Sequence, residues 1–223
     1  MKTLLRGRVH GVAGADSVLV DDGVIMWVGA GSSPERADDE VVAERDGWIA
    51  PGFIDLQANG FKGHDAAGGR DEIGAMSEAL PSTGVTSFLP TLISAPVQAG
   101  AEFAASAAAA AAESRGARVL GAHIEGPFIN PSFRGAHEIE LLVEPSADMV
   151  EVIARARPRL VTLAPELPGA LDAIARLTRE GVVVSAGHTG ADFEQGKRAI
   201  TAGVRLGTHI YNAMAPVQWR ARP

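Results

Sequence analysis

Two kinds of hydrophobic pattern divide the chain near residue 46. Residues 1–46 contain short runs in which apolar and polar residues alternate, at 3–9, 17–20 and 24–28, and these runs are separated by glycine-containing turns. Alternation with a period of two is typical of strands with one buried face, and the turn Asp21-Asp22-Gly23 is typical of a hairpin. This part of the chain therefore predicts a small antiparallel β module.

From residue 47 onward, short apolar runs alternate with helical patterns. The runs predict strands near 49–56, 85–89, 118–124, 160–164, 182–186 and 204–208, and the intervening segments predict helices near 71–80, 97–115, 146–156, 168–180 and 191–202. Such alternation is typical of right-handed βαβ units with a parallel sheet. We therefore predict two domains, a β module at 1–46 and an α/β domain at 47–223. Six strands can be counted, whereas a closed barrel of this kind has eight.

Three residues of types that bind metal ions lie just after predicted strands. They are Glu125, His188 and His209. A β/α barrel assembles its site at the carboxyl ends of its strands, so we expect these side chains to meet. One carboxylate and two imidazoles form a ligand set for a catalytic zinc, which keeps a position open for water. The pattern predicts one shared metal site, with zinc preferred over iron or cobalt.

Further residues near these strand ends favour substrate binding. His137 lies in the loop after the third strand, and loops of this type carry binding residues. Asn212 and the backbone amides after it could hold phosphate oxygens, and Arg220 could clamp an anion with two hydrogen bonds. We therefore expect a cavity that accepts a phosphorylated substrate.

The residues after the first strand favour one metal ion over two. Gln57 and Asn59 occupy the place where many binuclear hydrolases have a His-x-His pair, and amides are poor zinc ligands. His123 lies two residues before Glu125, so both side chains point to one face of the strand. It is either a further ligand or a buried residue one layer below the site, and we favour the buried role.

Composition excludes several classes of partner. The net charge of −7, without a basic block, argues against nucleic acid or an anionic membrane. No run approaches the ~18 apolar residues of a membrane span, and the first residues are too charged for a secretory signal. The chain has no cysteine, which excludes disulfides and thiolate ligands and fits a cytoplasmic location.

Four segments resemble the N-acetylglucosamine-6-phosphate deacetylases of the amidohydrolase superfamily, in the family's order and spacing. They are residues 51–55, 123–128, 185–189 and 208–214. The resemblance implies an α/β fold, a (β/α)8 TIM-type barrel of the metal-dependent hydrolase kind. About six of the eight strands would be present, together with part of a small N-terminal β-sandwich.

The resemblance also implies a function and a set of site residues. The reaction would be metal-dependent deacetylation of N-acetylglucosamine 6-phosphate to glucosamine 6-phosphate and acetate. One divalent metal ion would be bound by Glu125, His188 and His209, and the amino-sugar phosphate by His137, Asn212, Ala213 and Arg220. The full-length protein would be a homodimer. The family's catalytic aspartate follows the eighth strand, so we expect a C-terminally truncated chain with doubtful activity.

Two alternatives stay open. One is another amidohydrolase, such as a dihydroorotase or a hydantoinase. Those enzymes normally carry a His-x-His pair and a carboxylated lysine, and this chain has no lysine between Lys62 and Lys197. The other is a non-catalytic chain that binds a metal ion or a sugar phosphate.

Overall fold

The computed structural model describes residues 1–43 and 47–216. Contacts divide the chain into two units, Met1–Gly52 and Phe53–Pro223. The predicted domain boundary after residue 46 adjoins the undescribed residues 44–46, a few residues before this division.

The first unit consists of short strands. They are β1 (Lys2–Arg6), β2 (Arg8–Val9), β3 (Ser17–Asp21), β4 (Val24–Gly29), β5 (Asp39–Val42) and β6 (Trp48–Ile49). β3 pairs antiparallel with β1 and β4, and Asp22 and Gly23 in the β3–β4 turn have the positive φ that a type I′ hairpin requires. The predicted antiparallel pairing is confirmed for β1, β3 and β4, but the unit also contains parallel pairs that were not predicted, because β5 runs parallel to β1 and β6 runs parallel to β2. Alternation within a strand reports its buried face and not the direction of its partner.

The second unit alternates strands and helices. Its strands are β7 (Phe53–Ala58), β8 (Gly60–Phe61), β9 (His64–Asp65), β10 (Val85–Leu92), β11 (Arg118–Val119), β12 (His123–Glu125), β13 (Leu160–Leu163), β14 (Val183–Ala186) and β15 (Val204–Gly207). Its α-helices are α1 (Arg70–Ala79), α2 (Val97–Glu113), α3 (Ala147–Ala156), α4 (Ala170–Arg179) and α5 (Phe193–Ala202). All the helices predicted in this region are confirmed.

The larger strands form one curled parallel sheet in chain order. β10 pairs with β7 on one side and with β11 and β12 on the other, and β13, β14 and β15 follow. The third predicted strand is interrupted between β11 and β12, where Gly121 has a φ of 127°. The first begins at Phe53, because the residues near 49 pair with β2 instead. This order brings the carboxyl ends of the strands to one edge of the sheet.

Apolar helix faces cover the sheet. α2 turns Ala104, Ala107 and Ala110 towards a buried cluster that contains residues of β10 and α1. α5 begins with a capping box, in which Asp192 accepts the N–H of Gln195 at 2.7 Å and Gln195 accepts the N–H of Asp192 at 2.9 Å. None of the described helices is both long enough and apolar enough to cross a membrane.

Candidate active site

A cavity of about 440 Å³ opens at the carboxyl edge of the sheet. Its lining includes every described residue for which the sequence predicts metal or substrate binding, namely Glu125, His137, His188, His209, Asn212 and Ala213. Arg220 lies outside the described residues. Glu125 ends β12, His188 follows β14, and His209 follows β15, so the parallel strands bring distant parts of the chain together at this edge.

Three donor atoms in the cavity form a nearly equilateral triangle. Glu125 Oε1 lies 3.1 Å from His188 Nε2 and 3.1 Å from His209 Nε2, and the two Nε2 atoms are also 3.1 Å apart. Ligands of a tetrahedral zinc with bonds of about 2.0–2.1 Å lie roughly 3.3 Å apart. The three atoms therefore fit a single divalent ion with little movement, and they leave one side of it open to the cavity.

The hydrogen bonds of the other ring nitrogens fix the tautomers of His188 and His209. His188 Nδ1 lies 2.8 Å from the carbonyl oxygen of Phe133, and His209 Nδ1 lies 3.0 Å from that of Asn212. A carbonyl oxygen only accepts, so each Nδ1 carries the hydrogen. The lone pair of each neutral ring is then on Nε2, which is how metal-binding histidines are commonly oriented.

His137 has the opposite tautomer. Its Nδ1 accepts the backbone N–H of Ser94 at 3.1 Å and lies 2.7 Å from the Ser94 hydroxyl. Because a backbone N–H only donates, the hydrogen of the neutral ring must be on Nε2, which lies 3.8 Å from Glu125 Oε2. Glu125, His137 and His188 also have donor atoms within 4.8 Å of one another. An N–H cannot bind a metal ion, however, so the tautomers favour His209 over His137 as the third ligand.

The ionisable side chains of the site are buried and shift one another's pKa values. Glu125 is only 2% exposed. Burial acts to raise the pKa of its carboxyl group, but the hydrogen bond that His188 Nε2 donates when its ring is protonated, together with the neighbouring imidazoles, outweighs burial and holds that pKa at about 2. Burial acts to lower the pKa of His188, yet its contact with Glu125 raises it overall. Burial and the charge of His188 lower the pKa of His137 to about 4, so this ring stays neutral near pH 7.

The loops that carry these side chains have strained backbones. His188, His209, Tyr211 and Ala213 have φ values of 51°, 32°, 74° and 50°. Positive φ is uncommon for residues other than glycine, and it persists only where surrounding contacts enforce it. Gly126, next to Glu125, also has a positive φ, and a Cβ there would lie 2.1 Å from the hydroxyl of Ser94. The site thus depends on close packing between its loops.

Curated proteins and solved structures show which proteins the chain resembles. Human N-acetylglucosamine-6-phosphate deacetylase is 38% identical over 181 residues, which cover 77% of this chain and 44% of the human protein. The zebrafish (Danio rerio) deacetylase is 36% identical over 214 residues, which cover 87% and 53%. A mutant of the Mycobacterium smegmatis deacetylase, solved in complex with N-acetyl-D-glucosamine-6-phosphate, is 30% identical with a TM-score of 0.82, covering 98% and 57%. No family model matches the chain.

This chain is homologous to the N-acetylglucosamine-6-phosphate deacetylases. It spans about half the length of the curated relatives that it matches. The similarity confirms the predicted fold class, a TIM-type barrel of the amidohydrolase kind of which about six strands are present.

His123 of this deacetylase homologue lies below the cavity, in a buried polar layer. Its Nδ1 donates to the carbonyl oxygen of Leu56 at 3.0 Å, and its Nε2 lies 2.8 Å from the hydroxyl of Thr162. Burial lowers the pKa of His123 to about 4, so the ring is neutral and accepts a hydrogen bond from Thr162. The favoured buried role of His123 agrees with this geometry.

Gln57, Asn59 and Asp65 also line the cavity. The side-chain amide of Asn59 donates to the carbonyl oxygen of Thr91 at 3.4 Å, and Asp65 accepts the N–H of Ala67 at 2.9 Å. Among the described residues that line the cavity, Glu125 and Asp65 are the only carboxylates.

The sequence pattern did not predict a role for two polar residues at this edge of the sheet. Ser94 follows β10 and orients His137, and Glu166 follows β13 and accepts hydrogen bonds from two neighbouring loops. Glu166 carries the signal that identified Glu125, a carboxylate just after a buried strand. Ser94 carries no such signal, because a serine in a loop is ordinary.

Proposed function

We propose that this chain supplies the metal-binding and substrate-binding part of an N-acetylglucosamine-6-phosphate deacetylase site. In this proposal Glu125, His188 and His209 bind one divalent ion, with zinc preferred over iron or cobalt. The observation that carries the proposal is the triangle of donor atoms, 3.1 Å on each side, with both histidine tautomers set for metal binding. The deacetylase homology supplies the substrate, N-acetylglucosamine 6-phosphate.

One ion per chain is expected because amides occupy the place of further ligands. Gln57 and Asn59 line the cavity, and Asn59 already donates to Thr91. Neutral amides are poor zinc ligands. When bound, a divalent ion supplies Lewis acidity, which polarises an amide carbonyl and lowers the pKa of water to about 7.

The chain's own residues would bind and orient the amino-sugar phosphate. His137 presents its Nε2–H to the cavity, so it donates a hydrogen bond to a substrate oxygen. Asn212 and Ala213 lie on the loop after β15 and would hold the phosphate, and Arg220 would neutralise its charge. The resemblance places a proton-transferring aspartate after the eighth strand. None of the residues predicted for the site takes that role. Homodimer formation and a cytoplasmic location belong to the same proposal.

The carboxylates that line the cavity favour a second function, in which the chain binds a metal ion and a sugar phosphate without catalysis. Glu125 would be bound to the metal, and the other carboxylate of the described lining, Asp65, caps a short helix by accepting the N–H of Ala67. No described residue matches the aspartate that the resemblance places after the eighth strand. The chain would then bind metal and sugar phosphate without releasing acetate.

Calorimetry and an acetate assay on the full chain separate these functions. We expect about one zinc per chain and zinc-dependent binding of N-acetylglucosamine 6-phosphate in preference to unphosphorylated N-acetylglucosamine. Zinc-dependent acetate release would establish the deacetylase, and binding without release would establish the second function. A chain that binds neither zinc nor the sugar phosphate would refute both.

A further inference from the structure

Glu166 connects three loops beside the proposed metal site. It lies just after β13. Its Oε1 accepts hydrogen bonds from the Asn130 side chain at 2.9 Å and from the Gly190 N–H at 2.6 Å, and its Oε2 accepts the Thr189 hydroxyl at 2.5 Å. Asn130 belongs to the loop after β12, whereas Thr189 and Gly190 belong to the loop after β14. One carboxylate therefore ties together the loops of three neighbouring strands.

The groups tied to Glu166 flank the strained backbone of His188. The N–H of Asn130 donates to the carbonyl oxygen of His188 at 3.0 Å, so Asn130 contacts both His188 and Glu166. Thr189 and Gly190 follow His188 directly. Left-handed backbone at a histidine needs neighbouring contacts to maintain it, and Glu166 anchors this segment through Thr189 and Gly190 and through Asn130.

The same anchor reaches the loop after β15. The N–H of Thr189 donates to the carbonyl oxygen of Ala213 at 3.2 Å, and the N–H of Ala215 donates to that of Thr189 at 3.1 Å. Ala213 also has a positive φ. Thr189 is thus held by the Glu166 carboxylate on its side chain and by the substrate loop on its backbone.

We propose that Glu166 is a positioning residue, whose carboxylate holds His188 in the orientation that directs Nε2 at the metal site and fixes the loop that carries Ala213. The metal part of this inference rests on the proposed function of His188. Glu166 acts through its neighbours, because its oxygens accept hydrogen bonds from the Asn130 side chain, the Thr189 hydroxyl and the Gly190 N–H.

The variants follow from this geometry. Glu166→Ala removes all three acceptor interactions. Glu166→Gln keeps a carbonyl oxygen for Asn130 and Gly190, and its amide can donate to the Thr189 hydroxyl, so it should restore most of the function. Thr189→Val removes the contact with Glu166 at nearly constant volume, together with the hydrogen bond that the Thr189 hydroxyl accepts from the Ala191 N–H at 2.9 Å. It serves if Glu166→Ala does not fold. Glu151→Ala is the matched control, because Glu151 pairs with arginines on α3 and α4 away from the cavity.

The first measurement is amide hydrogen exchange of the metal-free full chain. We expect Glu166→Ala to accelerate exchange in segments 187–191 and 213–215 by roughly 10–100-fold, since it removes bonds to a charged acceptor. Thr189→Val should accelerate exchange in segment 213–215 to a smaller extent, and Glu166→Gln and Glu151→Ala should leave exchange near that of the parent. Parent-like exchange in both segments of Glu166→Ala, or in segment 213–215 of Thr189→Val if the former is unfolded, would overturn the inference.

The second measurement is zinc affinity by competition with a chelator. Glu166→Ala should weaken binding ~10–100-fold, the usual effect of a residue that orients a ligand, with recovery in Glu166→Gln and no change in Glu151→Ala. Unchanged affinity in Glu166→Ala would also overturn the inference. If the parent chain binds no zinc, the proposed function fails, and the exchange experiment still decides the role of Glu166.

Discussion

Replacing His209 and His137 separately tests which histidine completes the metal site. Both rings lie beside Glu125 and His188, and distance alone does not separate them. The tautomers do, because the Nδ1 of His209 donates to a carbonyl oxygen while the Nδ1 of His137 accepts a backbone N–H. His209→Ala removes a metal ligand in this interpretation, and His137→Gln does not.

The expected magnitude follows from the number of ligands. Four-ligand zinc sites contribute about 10–16 kcal/mol, so one ligand contributes roughly 3–4 kcal/mol. His209→Ala should therefore weaken zinc binding by ~10²–10³-fold, at 1.4 kcal/mol per factor of ten. His137→Gln retains an acceptor for Ser94 and should cost no more than about tenfold, the low end for residues outside the ligand shell.

Competition with a chromophoric chelator at pH 7.5 measures both affinities, and circular dichroism checks that each variant is folded. His10→Ala, which changes an exposed histidine of the first unit, is the control and should bind zinc like the parent. If His137→Gln loses a hundredfold or more while His209→Ala binds normally, the tautomer argument is wrong and the metal is held by Glu125, His137 and His188.

Three further predictions follow from the same contacts. Zinc must displace a proton from His188, whose pKa is raised by Glu125, so affinity should decrease as the pH falls from 8 to 6; calorimetry showing constant affinity over that range would contradict this. The pKa of buried His123 is lowered from 6.5 to about 4, so the unfolded state takes up the proton first as the pH falls. Through this group, the free energy of unfolding of the metal-free chain should decrease by roughly 3 kcal/mol between pH 6.5 and 4. Urea unfolding should show a smaller decrease in His123→Gln, and identical pH profiles would rule the effect out. Gly126→Ala places a Cβ 2.1 Å from the Ser94 hydroxyl at a positive φ and should lower the free energy of unfolding by about 1–3 kcal/mol or more. Gly74→Ala, in open space on α1, should raise the free energy of unfolding by about 0.5–1 kcal/mol. Equal stabilities of these two variants would be inconsistent with the packing.

The pattern along the chain was sufficient for the order of the elements and for much of the site. Apolar runs and helical periods report which face of each local segment is buried, and this is why the strands and helices after residue 53 could be predicted. Because parallel strands in chain order end at one edge, a ligand directly after each strand implies a common site. Glu125, His188 and His209 could be grouped on that ground before any distance was known.

Tertiary structure alone decided which nitrogen of each histidine faces the cavity. Ser94 is 43 residues from His137, and Phe133 is 55 residues from His188. The partner of His209 Nδ1, the Asn212 carbonyl, is only three residues away, but the two meet because the loop folds with positive φ at His209 and Tyr211. Periodicity reports neighbours within a few residues, so it does not reveal such partners. The same limit explains why β5 was not expected to pair parallel with β1 and why Glu166 was missed. A hydrogen bond depends on positions within a few tenths of an ångström, and only the packed loops at the edge of the sheet fix those positions.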